Sequence, residues 1–407
     1  MRTLIKNAHL LDTEKMEMSA EQTLVLEDGF IATIGEEPTG KIDQTYDARG
    51  GFVLPGFIDA HVHFRLASMD FRWLNKWSEV EYGIVMARLA KETLLRGFTT
   101  VRDIGGDVLG LQRSIRSGEA MGPRIVRSGR FLSQTGGHGD VEGGARAVPD
   151  CACQMRHSAF GIVADGVDAV RKAARHNLRE GSDFLKIHVS GGVATPSDPL
   201  DSVQYTAEEI RAVVVEAEHR QTYVAAHAYS PESIIMAVEN GVHSIEHGNL
   251  LDRAAADFMV EKNAVLVPTL STYEAMDEFG RQAGLPETNI RKNEQVYKVG
   301  LESLEIAREA GVTMGWGTDL IGDSQARQHR EFSIRAEVES AKEILTSMYQ
   351  VNPALCHLEG QIGCISVGAI ADLVVCRFNP LDNIRVLADS NETLEAVFQN
   401  GRLVNPE

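Results

Sequence analysis

Short apolar runs rich in β-branched residues recur along the middle of the chain, with amphipathic stretches between most of them. The first follows residues 51–58 and ends at His61. The others are Phe98–Asp103, Arg124–Ser128, Asp183–Val189, Thr222–His227, His243–His247, Ala264–Pro268 and Val312–Asp319. Near-continuous apolar runs of this length are the mark of strands buried on both faces. Helical periodicity covers Tyr82–Leu95, Val167–Arg179, Ala207–Arg220, Pro231–Glu239 and Val296–Ala310. Thr206 and Glu209 make a capping box ahead of the third of these. Alternating strand and helix units predict a parallel sheet, and eight of them predict an α/β fold, a (β/α)8 TIM barrel.

The two ends read as β instead. Thr3–Leu11 is followed by Gln22–Gly35, where Asp28-Gly29 marks a hairpin turn. Ser366–Cys376 and Glu395–Val404 read as strands, with Asn400-Gly401 as a second turn. Chain ends of a domain often lie close together. Residues 1–54 and 356–407 are therefore expected to form one small β-sandwich domain beside a barrel spanning 55–355.

Composition narrows the partners. The chain has 407 residues, 43% hydrophobic and 24% charged, with a formal net charge of -18. That acidity offers no basic surface to phosphate, so no nucleic-acid partner is expected. No apolar segment approaches a membrane span, and the first residues lack a signal core. A cytoplasmic protein, expected to be a homo-oligomer, fits these facts. Five cysteines read as reduced thiols, and Cys151-Ala-Cys153 lacks a second pair at zinc-site spacing.

The chemistry gathers at strand ends. In Asp59-Ala-His-Val-His63 the two imidazoles are two residues apart, so His61 and His63 share one face of a strand. Two satisfied histidines in a strand would read the same way, so the remaining residues decide. Lys186 lies in the fourth strand, His227 ends the fifth, His247 ends the sixth and Asp319 ends the eighth. All would crowd one rim, the carboxyl-terminal face where barrel active sites are built. Two glycine-rich loops, Gly136–Gly144 and Ser190–Pro199, follow strands onto the same face. Neither has the context of a dinucleotide or Walker loop, and no Gly-x-Ser-x-Gly elbow is present.

The run Pro55–His63, the series Lys186, His227 and His247, and Gly317-Thr-Asp319 resemble the amidohydrolase superfamily over essentially the whole chain. Phe184–Val193 and Ala226–Tyr229 are similar to its prolidase-like dipeptidase branch, which is related to imidazolonepropionase-like proteins and to ochratoxin hydrolases. The resemblance implies two divalent metal ions, usually Zn2+. His61, His63 and Asp319 would hold one and His227 and His247 the other, with N-carboxylated Lys186 as the bridge. A free ammonium has only donors, whereas its carbamate is an anion that two cations can share. Metals about 3.5–4 Å apart hold a bridging hydroxide near neutral pH. Asp319 would shuttle its proton to the leaving nitrogen.

His138 and Tyr229 are expected on the substrate, with Tyr229 facing the developing oxyanion. His188 shares the Lys186 side of its strand. Arg65 is a candidate for a substrate carboxylate or a structural pair, and Asp183 is the alternative partner of Lys186. Tyr205, Tyr273 and His329 lie near the rim and receive no role. Leu270–Asn289 is a candidate lid. The resemblance implies hydrolysis of amide bonds in small dipeptide-like or N-acyl amino-acid substrates, Xaa-Pro or Xaa-apolar. The competing readings are N-acylated aromatic amino acids such as ochratoxin, a mononuclear ring-amide hydrolase or deaminase, and a scaffold without activity. The deaminase relatives generally lack the lysine, and a scaffold typically loses ligands.

Overall fold

The computed structural model describes residues 1–36, 38–70, 76–140, 159–196 and 198–404. Cys151, Cys153 and the end of the Gly136–Gly144 loop lie outside the described residues.

The chain opens in β1 (Arg2–Asp12), β2 (Glu17–Glu27), β3 (Phe30–Ile34), β4 (Gln44–Asp47) and β5 (Phe52–Pro55). Asp28 and Gly29 have φ of 49° and 93°, so the β2–β3 turn takes the left-handed conformations that an Asp-Gly pair tolerates.

The barrel follows: β6 (Phe57–Val62), β7 (Phe98–Asp103), β8 (Arg124–Arg127), β9 (Phe131–Ser133), β10 (Gly161–Val163), β11 (Leu185–His188), β12 (Val224–Ala228), β13 (Ser244–His247), β14 (Val265–Val267) and β15 (Thr313–Met314). All pairings among them are parallel. β8 pairs with β7, whereas β9 pairs with β11. One strand position is thus split in two at Gly129, whose φ is 72°. The eighth position closes on the first through Ala60 N–H to Trp316 O at 2.9 Å and Asp319 N–H to His61 O at 2.8 Å.

The helices match the periodic stretches closely. Val167–Arg179 and Pro231–Glu239 have the expected bounds, and the Thr206/Glu209 capping box is present. The expected helix Val296–Ala310 starts earlier, at Glu287, with Pro286 as its N-cap. Its polar first turns hid that start. The run Val312–Asp319 pairs in the ladder only at Thr313–Met314.

At the other end come β16 (Leu373–Cys376), β17 (Leu394–Gln399) and β18 (Arg402–Leu403). The expected strand from Ser366 is shorter, because Gly368 turns at φ 90°. The terminal strands form one eight-stranded sheet in the order β18-β17-β16-β5-β1-β2-β3, with β4 on β1. The sheet folds back on itself, since Ile31 on β3 bonds the backbone of Ala369 and Gly368 ahead of β16. Its two faces enclose Ile5, Leu24, Ile31, Val53, Val375 and Phe398. A second core joins sheet to barrel, with Leu54 and Val374 against Phe57, Phe98, Trp316 and Phe332. Among the described residues, no helix is long and apolar enough to cross a membrane.

Candidate active site

The ends of β6, β11, β12, β13 and the segment after β15 converge on one cavity of about 320 Å3. His61, His63, Lys186, His227, His247 and Asp319 all line it. Ring centroids are 5.2 Å apart for His61 and His63, 4.8 Å for His61 and His247, and 4.6 Å for His227 and His247. Ligand-capable atoms of His61, His247 and Asp319 lie within 4.8 Å of one another.

Each of the four imidazoles has one nitrogen engaged by a protein oxygen. His61 Nδ1 lies 2.8 Å from Glu246 Oε2, His63 Nδ1 3.1 Å from Gly105 O, His227 Nε2 3.0 Å from Gly191 O, and His247 Nδ1 2.8 Å from Thr269 Oγ1. One nitrogen per ring is left over. On His61 and His63 it sits 3.5 and 3.3 Å from Asp319 Oδ1. Burial pushes His61 down to about 4 and drives His227 and His247 well below the ordinary histidine value. His63 moves the other way: burial lowers it, and the hydrogen bond and charge of Asp319 more than offset that. Burial alone would raise Asp319, but the charges of His61 and His63 hold it low and ionised.

Lys186 is 1% exposed, and burial brings its ammonium down to about 8. Among the described residues its Nζ has no hydrogen bond and no ion pair. Asp183, the alternative partner, instead accepts the Arg127 N–H at 2.9 Å. Three imidazoles that burial keeps neutral, His63 beside an ionised carboxylate, and a buried lysine with no hydrogen bond or ion pair among the described residues make a donor set that fits divalent cations.

The sequence did not mark the residues beneath this set. Glu246 and Arg102 are both fully buried, and Arg102 Nη2 lies 2.8 Å from each Glu246 oxygen. Burial would raise the Glu246 carboxyl, but Arg102 and the His61 hydrogen bond hold it far below the ordinary range. Glu246 and His247 are adjacent, yet both side chains serve the barrel interior. The backbone at His247, with φ 75°, makes that geometry. Asp319 is also left-handed, at φ 54°. Such non-glycine conformations cost of order 1–3 kcal/mol and cluster at functional sites. The Asp59 carboxylate ties the first strand to the eighth, accepting from His61 N–H at 3.0 Å and Thr318 Oγ1 at 2.6 Å. Gly317 permits that approach: a Cβ there would come within 2.8 Å of the His61 Cβ.

A family model for the amidohydrolase family matches residues 52–404. The chain belongs to this family. It is a hydrolase of carbon–nitrogen bonds, in a superfamily whose members depend on metal. Ochratoxinase of Aspergillus niger is 28% identical over 398 residues, covering 93% of this chain and 82% of that protein. A prolidase solved with N-methylphosphonate-L-proline is 42% identical, with a TM-score of 0.93 over 99% of both chains. A Xaa-Pro dipeptidase with bound methionine in its active site is 31% identical, with a TM-score of 0.90 over 99% of both chains.

In this amidohydrolase the other rim residues divide. His138, His188, Tyr229 and Tyr273 line the cavity. The His138 ring stacks on His227 at 4.3 Å, and His188 stacks on Phe131 at 4.5 Å. The Tyr229 and Tyr273 hydroxyls are 2.8 Å apart, and burial raises both, so each keeps its proton. Arg65, Tyr205 and His329 are not among the lining residues. Arg65 is paired with Glu79 at 2.7 Å and covers the Tyr82 ring, while His329 bonds the carbonyls of Leu387 and Arg96. Leu270–Asn289 is helical over Leu270–Ala283 and again from Glu287, and Met276, Leu285 and Asn289 from this stretch roof the cavity.

Proposed function

We propose that this chain hydrolyses the amide bond of small dipeptide-like or N-acyl amino-acid substrates, with Xaa-Pro and Xaa-apolar dipeptides as the first choice. His61, His63, His227, His247, Asp319 and N-carboxylated Lys186 would hold two divalent ions, zinc by preference. When bound, such ions polarise a carbonyl and acidify water. The observation that carries this reading is Lys186, buried among four histidines and an aspartate with no hydrogen bond or ion pair among the described residues.

The chain's own groups supply the rest. Asp319 is ionised and faces the cavity, placed to take a proton from the attacking water and return it to the leaving nitrogen. The Tyr229 hydroxyl, which keeps its proton, would donate to the carbonyl oxygen as it gains charge. His138 and His188 lie on the β9–β11 side, where they can meet the carboxylate of the leaving amino acid. Leu66, Met69, Val193, Met276, Leu285 and Ile321 add an apolar lining that suits a side chain. A cavity of about 320 Å3 sits at the small end of ligand sites, which run roughly 300–1,000 Å3.

N-acylated aromatic amino acids form a second reading, favoured by Phe131 and Tyr273 in the lining and by the likeness to ochratoxinase. Zinc-loaded protein should be offered a library of dipeptides and N-acyl amino acids, ochratoxin included, with free amino acid scored. Release from Xaa-Pro or Xaa-apolar members supports the first reading, and release from aromatic acyl members alone supports the second. A silent library would sink both.

A further inference from the structure

A half-buried cation outside the ligand set anchors the roof of the cavity. Lys292 lies on the helix Glu287–Ala310, with its side chain 14% exposed. Its ammonium reaches Gly192 O at 3.0 Å, Thr195 O at 2.7 Å, the carbonyl of Asp198, and Asp198 Oδ1 at 3.1 Å. An ammonium has three donors, so all of them are spent on a single loop. One turn earlier, Asn289 Nδ2 donates to Val193 O and Ala194 O, both at 2.8 Å.

That loop also holds His138. The other oxygen of Asp198, Oδ2, accepts the Gly192 N–H at 3.0 Å and lies 3.3 Å from His138 Nδ1. The 3.3 Å approach is off-line for a hydrogen bond, and among the described residues His138 Nδ1 has no hydrogen-bond partner. Thr195 Oγ1 donates to the His138 carbonyl. The His138 ring packs on Gly192 so closely that a Cβ there would come within 2.2 Å of its Cε1. His138 therefore moves with this loop, and Lys292 fixes the loop to the roof helix.

We propose that Lys292 and Asp198 are positioning residues for His138, a clasp that sets where the leaving-group end of the substrate is held. The inference rests on the function proposed above. Hydrogen bonds to charged groups are among the stronger ones in proteins, so a broken clasp should be visible in substrate binding.

With alanyl-proline as substrate, Lys292→Met and Asp198→Asn should each raise KM about tenfold or more while kcat and metal content stay near wild type. The double variant should lose no more than the worse single one, because both act through one loop. An unchanged KM in folded variants, even with a lower Tm, would overturn the clasp, as would losses that add. Should Lys292→Met fail to fold, Lys292→Gln, which removes the charge beside Asp198 and is too short to reach all the loop carbonyls, carries the same test. Hydrogen exchange at the Gly192 amide reads the clasp without turnover. It should accelerate at least about tenfold in the lysine variant, and unchanged exchange would overturn the inference. Wild-type protein inactive on every library member would count against the proposed function, with the exchange result still deciding the clasp.

Discussion

Glu246 Oε2 lies 2.8 Å from His61 Nδ1, and the same carboxylate is gripped from below by Arg102. A carboxylate on the far nitrogen fixes the tautomer and orientation of a histidine that binds metal through its near one. Glu246→Gln should weaken metal binding about 10–100-fold, read by competition with a chromophoric chelator. It should also destabilise the fold by about 3–5 kcal/mol, because Arg102 is left as an unpaired buried charge. Adding Arg102→Met should recover much of that stability and none of the metal affinity. If affinity returned together with stability, Glu246 would have only a packing role.

Asp319→Asn tests proton transfer. The amide keeps one oxygen for a cation but cannot accept the proton. Amide hydrolysis should fall by several orders of magnitude while most of the bound metal is retained. Turnover near wild type in a metal-loaded variant would remove Asp319 from the proton path.

Lys186→Ala should lose activity together with one of two metals, measured by elemental analysis of the purified protein. A short carboxylic acid added to that variant should restore part of both, by standing in for the carbamate. Two tightly held metals without any additive would exclude the bridging role.

The same lysine predicts a pH dependence. Carboxylation needs the neutral amine, and burial lowers Lys186 to about 8, so that form grows as pH rises toward and past this value. Between pH 6.5 and 8.5 the neutral fraction increases roughly twentyfold, because each unit below the pKa is a factor of ten. Apo protein given zinc and bicarbonate should therefore recover activity far faster at pH 8.5 than at 6.5. Equal rates at both would mean that amine deprotonation does not limit assembly.

Much of this architecture was legible locally. The bounds of Pro231–Glu239, the Thr206/Glu209 capping box and the Asp28-Gly29 turn follow from rules spanning a few residues. His61 and His63 face one space because the strand period is two. The split strand β8/β9 and the edge strand β10 were not legible, since runs of three or four residues carry too little pattern to separate from loop.

By itself the sequence determined which residue types stand at which strand ends, because periodicity acts between near neighbours. Tertiary structure alone decided how those ends are braced. Arg102 meets Glu246 across 144 residues, and Glu246 meets His61 across 185. Such pairs exist only once the barrel closes. Likewise, the left-handed backbone at His247, which lets two adjacent side chains both serve the interior, is imposed by its surroundings, since histidine on its own rarely adopts it.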